Sequence, residues 1–355
     1  MRNISRSAFS FLKRWLPKRL FKATAFLCLG IAGLLLWSSV VAAEHYDVYL
    51  LAGQSNMDGR GAVKDLAEAD QAPNPNAIIY YRNFLASSKS WKPLAPGFSI
   101  PPKHKDGLPS KTLGPELGFA KAMLQANPDT KLALIKGSKG GSNLRADWVP
   151  GQRGKPKSQG PLYRDFIETI QIATKELTDR GDTFTIRAMI WHQGESDSKS
   201  KKKVYQARLE NLIARIREDV GIEDLPVVVG EVYDNGKRDS VRAAIAAVGN
   251  SSPKLGLVSS KGLTTWDAGT HFDAASQLKL GKRYAASVLK ILDKTVGDAP
   301  NNDTPTSGAS AEPSEDKVPD RTSKDRIDNL KTAPGKTSSE YGNDAKNIAL
   351  WKSGE

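Results

Sequence analysis

Three short apolar runs in this chain each end in a polar cluster that contains glycine, and this recurrence restricts the folds that the chain can adopt. The runs at residues 48–51, 132–135 and 184–191 lead into GQSNMDG, GSKGGSN and HQGESD, respectively. Uninterrupted apolar runs are typical of parallel strands that are buried on both faces. The carboxyl ends of parallel strands meet at one edge of a sheet, so we expect the three clusters to converge there.

Segments with helical periodicity separate these runs, and the alternation predicts an α/β fold with a central parallel sheet covered on both faces. The apolar pattern further predicts strands at residues 77–81, 226–232 and 255–259 and helices at residues 113–126, 163–177, 204–220, 242–248 and 274–292. Residues 82–112 contain five prolines and are predicted to form a long irregular loop.

The first 43 residues have the pattern of a secretory signal. Residues 1–22 carry seven basic residues and no acidic one, and an apolar run at residues 23–41 then ends in small residues. This run is close to the roughly 20 residues that span a bilayer, so an uncleaved membrane anchor is the alternative. We therefore expect a secreted or periplasmic protein or, if the segment is retained, a membrane-anchored one that faces away from the cytoplasm.

Charge and cysteine content restrict the partners and the chemistry. Removal of residues 1–43 lowers the formal net charge from +13 to +6, and no basic stripe with interleaved aromatics remains, so a nucleic-acid partner is not expected. Cys28, the single cysteine, lies in the removed segment, which leaves no thiol for disulfides, catalysis or metal ligation. Residues 297–355 are polar and poor in apolar residues, so we expect a disordered tail after a folded domain at residues 44–296.

Ser55 follows the first predicted strand and lies where a nucleophile could act, although most serines after strands only cap a turn or the next helix. An ester-cleaving serine needs a base to take its proton, and His271, before the last predicted helix, is the candidate. Asp267 lies four residues earlier and could hold one imidazole nitrogen so that the other nitrogen accepts the serine proton.

An acyl-transfer serine also needs hydrogen-bond donors for the developing oxyanion. Gly140 and Gly141 offer exposed backbone N–H groups in the second cluster, and Gln193 offers a side-chain amide in the third. Each residue also has a structural alternative: the glycines could only form a tight turn, and Gln193 could only connect loops.

Four motifs in order, GQSNM, GGS-x-L with a following Trp148, WHQGESD and D…HF…A…Q…LG, resemble the SGNH hydrolase superfamily. Within it, the chain is similar to the carbohydrate acetylesterases grouped with sialate O-acetylesterase and acetyl xylan esterase family six. The resemblance covers about residues 46–292. It implies a flavodoxin-like three-layer α/β/α sandwich in which Ser55 is the nucleophile and His271 the base.

The same resemblance implies an oxyanion hole made by the backbone N–H groups of Ser55 and of Gly140 or Gly141, with the amide of Gln193. Gln193 takes the place of the asparagine found in the wider superfamily. The implied activity is removal of O-acetyl groups from carbohydrates through an acyl-enzyme, with an acetylated carbohydrate as substrate and no cofactor.

The spacing of the candidate carboxylate departs from the superfamily pattern. Three residues separate Asp267 from His271, where the superfamily usually has two. Glu195, in the HQGE motif, is therefore a second candidate for the carboxylate of the triad. We rank Asp267 first.

Two other classes of protein compete with this interpretation. A metal-dependent hydrolase could use His192, Glu195 and His271, with Asp197 and Asp273, but no recognised ligand spacing such as H-E-x-x-H is present. The second alternative is a non-catalytic glycan-binding protein of the cell surface. The presence of the serine, the histidine and a carboxylate argues against it.

Overall fold

The computed structural model describes residues 43–101 and 108–297. The strands there are β1 (His45–Gly53), β2 (Gly61–Ala62), β3 (Asn74–Arg82), β4 (Lys92–Leu94), β5 (Thr112–Leu113), β6 (Lys131–Ser138), β7 (Thr183–His192), β8 (Val227–Gly230) and β9 (Leu255–Val258). The α-helices are α1 (Ser55–Asp58), α2 (Glu116–Ala126), α3 (Pro161–Asp179), α4 (Lys202–Val220), α5 (Asp239–Gly249) and α6 (Ala274–Gly297).

Seven strands form one sheet in the order β4-β3-β6-β1-β7-β8-β9. The pairs from β3 to β9 are all parallel, and only β4 at the edge is antiparallel to its neighbour. After β1 the chain first builds the β6 and β3 side and then crosses to build β7, β8 and β9. This reversal makes the carboxyl end of β1 a topological switch point, where α/β sheets bind ligands.

Alternate residues of the central strand β1 pack into two separate cores. Val48, Leu50 and Ala52 face a core that includes side chains of α3, α4 and α5, whereas Tyr49 and Leu51 face a core that includes side chains of α2 and α6. Each fully buried aliphatic side chain contributes about 1.5–3 kcal/mol to the free energy of folding. The predicted three-layer α/β/α sandwich with a central parallel sheet is thus confirmed.

The expectation of an irregular loop throughout residues 82–112 was wrong at two places. Lys92–Leu94 forms β4, and Thr112–Leu113 pairs with Gly61–Ala62 in a separate two-stranded sheet. Both strands are too short to show a periodic pattern of apolar residues in the sequence. The proline inside β4 is tolerated because β4 is an edge strand. Because β5 takes up Thr112–Leu113, the next helix begins at Glu116 rather than at residue 113.

Two predicted segments lie almost entirely outside the described residues. They are the signal or anchor at residues 1–43 and the polar tail at residues 297–355. Within residues 43–101 and 108–297, none of the helices combines the length and the apolar character needed to cross a membrane.

Candidate active site

A tight turn after β1 places Ser55 at the carboxyl edge of the sheet. Gly53 has φ of +149°, and a Cβ there would lie 2.1 Å from the backbone oxygen of His192 at the end of β7. The two strand ends can approach this closely only because residue 53 has no side chain. Gln54 N donates to the same His192 oxygen at 2.9 Å, which fixes the turn directly before the buried Ser55.

The structure brings Ser55, His271 and Asp267 together in one hydrogen-bonded row. His271 Nε2 lies 3.1 Å from Ser55 Oγ, and His271 Nδ1 lies 2.5 Å from Asp267 Oδ2. Asp267 Oδ1 also accepts the backbone N–H groups of Thr270 and His271, each at 2.9 Å. A carboxylate on Nδ1 keeps the proton on that nitrogen and leaves Nε2 free to accept one.

A short hairpin accommodates the extra residue between Asp267 and His271. Trp266 N donates to the backbone oxygen of His271 at 3.1 Å, which closes the loop. Gly269 inside it has φ of +86°, a backbone conformation that favours glycine. The three intervening residues therefore fold back, and the carboxylate reaches the imidazole despite the longer spacing.

The protonation states suit proton transfer from serine to imidazole. Burial lowers the pKa of His271 below its ordinary value, which outweighs the raising effect of Asp267; Arg60 and Arg238 lower it further. Burial alone would raise the pKa of Asp267, but the hydrogen bonds from His271 and Thr270 outweigh burial and lower it. Near neutral pH the imidazole is thus uncharged and the carboxylate is ionised.

Ser55 and His271 open into a cavity of about 550 Å³, a size typical of small-ligand sites. Three cationic side chains line it: Arg60, Lys139 and Arg238. Arg60 is 5% exposed and pairs with the buried Asp58 at 2.5 Å. Burial lowers the pKa of Lys139. The surplus of positive groups favours negative charge in the cavity.

Of the two candidate glycines, Gly140 lies closer to the serine. A Cβ on Gly140 would lie 3.5 Å from Ser55 Cβ and 2.7 Å from Arg60 Nη2, whereas a Cβ on Gly141 would meet nothing within 4 Å. Gly141 has φ of +75° and forms the turn itself. Lys139 N donates to Gly53 O at 3.1 Å, so this loop is tied to the end of β1.

Gln193, the predicted side-chain donor to the oxyanion, does not line the cavity, and its amide is hydrogen-bonded within the protein. Its Nε2 donates to Gln54 Oε1 at 3.1 Å, Ser142 O at 3.1 Å and Asp197 Oδ2 at 2.9 Å. Its Oε1 accepts from Tyr205 Oη at 3.0 Å. Both amide hydrogens of this fully buried side chain are engaged, so Gln193 connects loops.

Glu195 lines the cavity but is not the carboxylate bound to the imidazole of His271. Its Oε1 accepts from Asn56 Nδ2 at 2.5 Å and lies 3.7 Å from His192 Nε2. Its Oε2 is buried and has no hydrogen-bond partner within the described part of the chain. Burial raises the pKa of Glu195. Of the two candidates, only Asp267 is hydrogen-bonded to the ring.

Asn56 makes contacts at the site that the sequence did not predict. Its Nδ2 donates to Glu195 Oε1 and to Thr270 O, the latter at 2.8 Å, and its Oδ1 accepts from Phe272 N at 3.1 Å. It therefore joins the Ser55 turn to the loop that carries the histidine. The only sequence signal was its position in GQSN, where an asparagine is equally typical of a turn.

The ligand set of the metal-dependent alternative is not assembled. No group of three or more His, Cys, Asp or Glu side chains in residues 43–101 and 108–297 is placed to hold a metal ion. His192 Nδ1 lies 2.7 Å from Tyr284 Oη, and burial lowers the pKa of His192 to about 3. Asp273 accepts the backbone N–H of Ser276 at 2.8 Å.

Sequence comparison identifies the family. Residues 45–290 match the family model described as carbohydrate esterase, sialic acid-specific acetylesterase. The chain belongs to this family. It is therefore a carboxylic ester hydrolase of the carbohydrate esterase class, and the suspected relationship to the carbohydrate acetylesterases is confirmed.

Similar proteins agree with the family. A probable carbohydrate esterase from Arabidopsis thaliana is 26% identical over 260 residues, which are 68% of this chain and 90% of the relative. A crystal structure of an Arabidopsis thaliana protein has a TM-score of 0.55 at 24% identity and covers 68% of this chain and 97% of its own. The crystal structure of NanS has a TM-score of 0.54 at 16% identity, over 72% and 100% of the two chains. Both structures support the fold of this carbohydrate esterase.

Proposed function

We propose that this carbohydrate esterase removes O-acetyl groups from sugar hydroxyls through a covalent acyl-enzyme on Ser55. The observation that carries the proposal is the hydrogen-bonded row Ser55–His271–Asp267, with distances of 3.1 and 2.5 Å, at the wall of a sugar-sized cavity. Nucleophile, base and orienting carboxylate must be within hydrogen-bond reach of one another for acyl transfer, and these groups are.

The first step forms the acyl-enzyme. His271 Nε2 takes the proton of Ser55 as Oγ attacks the acetyl carbonyl carbon. The imidazolium that forms is stabilised by Asp267, whose carboxylate already accepts from Nδ1. Because burial keeps the imidazole uncharged near neutral pH, the base is in its active form before substrate binds.

The negative charge on the carbonyl oxygen needs donors beside Ser55 Oγ. We assign this role to the backbone N–H groups of Ser55 and Gly140, because Gly140 lies directly against the serine. Gly141 is the second choice, since it belongs to the same turn. The cationic side chains of the cavity add a favourable field for the oxyanion.

Collapse of the tetrahedral intermediate breaks the bond between the carbonyl carbon and the sugar oxygen. The His271 imidazolium gives its proton to the departing sugar oxygen, which leaves as the free hydroxyl. Water then attacks the acetyl carbonyl and gives a proton to His271. Acetate leaves, and the proton returns to Ser55 Oγ.

The proposal includes export. It is supported by the basic segment at residues 1–22 and the apolar run at residues 23–41, which have the composition of a secretory signal. Cell fractionation, with Edman sequencing of the mature protein, tests it. A new N-terminus near residue 44 indicates cleavage, an intact N-terminus in the membrane fraction indicates an anchor, and a cytosolic full-length protein contradicts export.

The decisive experiment for the chemistry compares wild type with Ser55→Ala on p-nitrophenyl acetate. We expect the variant to lose acetate release while its melting temperature is retained, and a chelator to leave the wild-type rate unchanged. Intact-mass spectrometry of acid-quenched wild type should detect an acetyl adduct that the variant lacks. Activity retained by Ser55→Ala, or lost with the chelator, would overturn the mechanism in favour of a metal-dependent one.

A further inference from the structure

An exposed tryptophan lies against the histidine of the site. Trp266 is 60% exposed, and its ring stacks on the His271 imidazole with 5.8 Å between centroids and 16° between planes. Exposed large apolar side chains in the described part of the chain are few: Phe84, Leu85, Ile172, Val204 and Trp266. Leu85 is one of the side chains that line the cavity. Trp266 is not part of the cavity lining itself, but its contact with His271, which lines the cavity, places the indole at the rim of the site.

The fold of the hairpin does not require the indole. Trp266 closes the loop through its backbone N–H, a bond that almost any residue could make, and Asp267 holds the turn through the N–H groups of Thr270 and His271. The side chain also belongs to neither of the two cores that flank the sheet. Apart from its stacking on His271, the exposed indole has no place in either core, and its position beside the site makes it available to a ligand.

A sugar ring is the occupant that fits the chemistry of this rim. A pyranose without axial substituents has a face of C–H groups that stacks on an indole, while its hydroxyls remain at the edge of the ring. The polar groups needed for these hydroxyls are present in the adjoining cavity, where Lys139, Glu195 and Arg238 lie. A site with an apolar wall and a few charged groups is the usual composition of a small-ligand site.

The sheet order indicates how such a ring would be held. Leu85 lies in the loop after β3, on one side of the central β1, and Trp266 lies in the loop after β9, on the other side. Ser55 follows β1 between them. The centroids of the Trp266 and His271 rings are 5.8 Å apart although the planes are nearly parallel, so the rings are offset and the imidazole covers only part of the indole face. A sugar ring on the uncovered part lies beside the imidazole, from where an ester on its edge can extend to Ser55 Oγ, 3.1 Å from His271 Nε2.

We propose that Trp266 is a sugar-stacking platform that seats the pyranose ring whose O-acetyl group is cleaved, with Leu85 on the opposite wall. The inference rests on the proposed esterase function and specifies its substrate class: acetylated pyranosides with one face free of axial groups. Acyclic acetate esters lack this contact, so the enzyme discriminates against them through Trp266.

The test measures kcat and KM for an acetylated methyl β-xylopyranoside and for triacetin, which has no ring. An aryl acetate is unsuitable because its own ring could stack on the indole. Trp266→Ala should lower the ratio of kcat/KM for the pyranoside to that for triacetin roughly tenfold, mainly through KM, as expected for loss of one aromatic contact. Trp266→Phe should retain most of the ratio.

The matched control is Ile172→Ala, which removes another exposed apolar side chain, 39% exposed, from α3. This residue does not line the cavity, and both substrates should be cleaved at the wild-type rate. Thermal unfolding checks that each variant folds.

Equal losses on both substrates in Trp266→Ala would overturn the platform, because the indole would then act on His271 rather than on the sugar. An unchanged ratio would also overturn it.

Calorimetric binding of the pyranoside to Ser55→Ala, with and without Trp266→Ala, separates the sugar platform from the proposed esterase mechanism. If neither the wild type nor any variant releases acetate, the esterase mechanism fails. The platform is then judged by binding alone: weaker binding of the pyranoside after Trp266→Ala supports it, and unchanged binding contradicts it.

Discussion

Asp267 Oδ2 accepts a hydrogen bond from His271 Nδ1 at 2.5 Å although three residues separate the two in the chain. The positive φ of Gly269 folds the intervening residues back, and Asp267 Oδ1 accepts the backbone N–H groups of Thr270 and His271. Glu195, the competing carboxylate, binds Asn56 instead. Because the two carboxylates have different neighbours, substitutions can separate their contributions.

Asp267→Asn should lower kcat by about 10²–10⁴-fold, because an amide no longer stabilises the imidazolium or fixes its tautomer. Glu195→Gln should cause a far smaller loss, since the new amide oxygen can still accept from Asn56. Initial rates on p-nitrophenyl acetate, with melting temperatures as a folding control, measure both. The reverse ranking would assign the triad carboxylate to Glu195.

The pH dependence of kcat/KM follows from the hydrogen-bonded pair of His271 and Asp267. Burial lowers the pKa of His271, so the acidic limb should have its midpoint below the ordinary imidazole pKa, with activity lost as the pH falls through it. Asp267 raises the pKa of His271, so Asp267→Asn should move the midpoint to still lower pH. Rate profiles over the acidic and neutral range test the sign. A midpoint that rises in the variant would contradict it.

Gln193→Met tests whether this residue is structural. Methionine keeps the volume but loses the bonds to Gln54, Ser142 and Asp197, so the free energy of unfolding should fall by about 1–3 kcal/mol. Loss of an oxyanion donor would instead lower kcat by about 10²–10³-fold. Urea unfolding and kcat, measured on the same preparation, distinguish the two. A large kcat loss at unchanged stability would restore Gln193 to the oxyanion hole.

The neighbouring residues Gly140 and Gly141 form a matched pair for substitution. A Cβ on Gly140 would lie 2.7 Å from Arg60 Nη2 and in ordinary contact with Ser55 Cβ at 3.5 Å. Arg60 is buried and held by Asp58, so Gly140→Ala should push the Gly140 backbone away from Arg60 and shift its N–H. We expect kcat to fall roughly tenfold, about half of the effect, in free energy, of losing one oxyanion donor. A Cβ on Gly141 would meet nothing within 4 Å, but its φ is +75°. Gly141→Ala should therefore cost about 1 kcal/mol in the free energy of unfolding and little in kcat. Equal effects on kcat would show that the turn, not Gly140, matters.

The parts of the fold that the sequence predicted are those with a continuous local signal. Strands such as β1 and β7 are buried on both faces and therefore form apolar runs, and Ser55 and His271 stand in motifs that keep their order in the chain. Lys92–Leu94 has only three residues, which are too few for a periodic pattern of apolar side chains. Its pairing with β3 depends on the assembled sheet.

The direction of a side chain is not encoded locally. Gln193 has the donor type that an oxyanion needs, yet its amide is turned away because Gln54, Asp197 and Tyr205 converge on it from three different segments. The converse holds for Asn56, whose three partners lie 139 to 216 residues away in the chain. Both orientations follow from tertiary contacts, which motif order does not reveal.

A buried ion pair beneath the Ser55 turn is the last feature that substitutions can test. Lys136 Nζ donates to Glu116 Oε2 at 2.8 Å, to the backbone oxygen of Asp58 at 2.8 Å and to that of Phe98 at 2.9 Å. Both charged side chains are fully buried. The lysine thus joins β6 and α2 to the end of α1, the helix that begins with Ser55.

Lys136→Met should lower the free energy of unfolding by about 3–5 kcal/mol, because it leaves the Glu116 carboxylate buried without its cation. Glu116→Gln added to that variant should recover part of the loss, since a neutral amide has a smaller desolvation cost and can still accept from Gly114 N, now bonded to Glu116 at 3.0 Å. Urea unfolding of the wild type, both single variants and the double variant gives the coupling energy. If the double variant is as unstable as the sum of the single ones, the two residues act independently and the ion pair does not hold the turn.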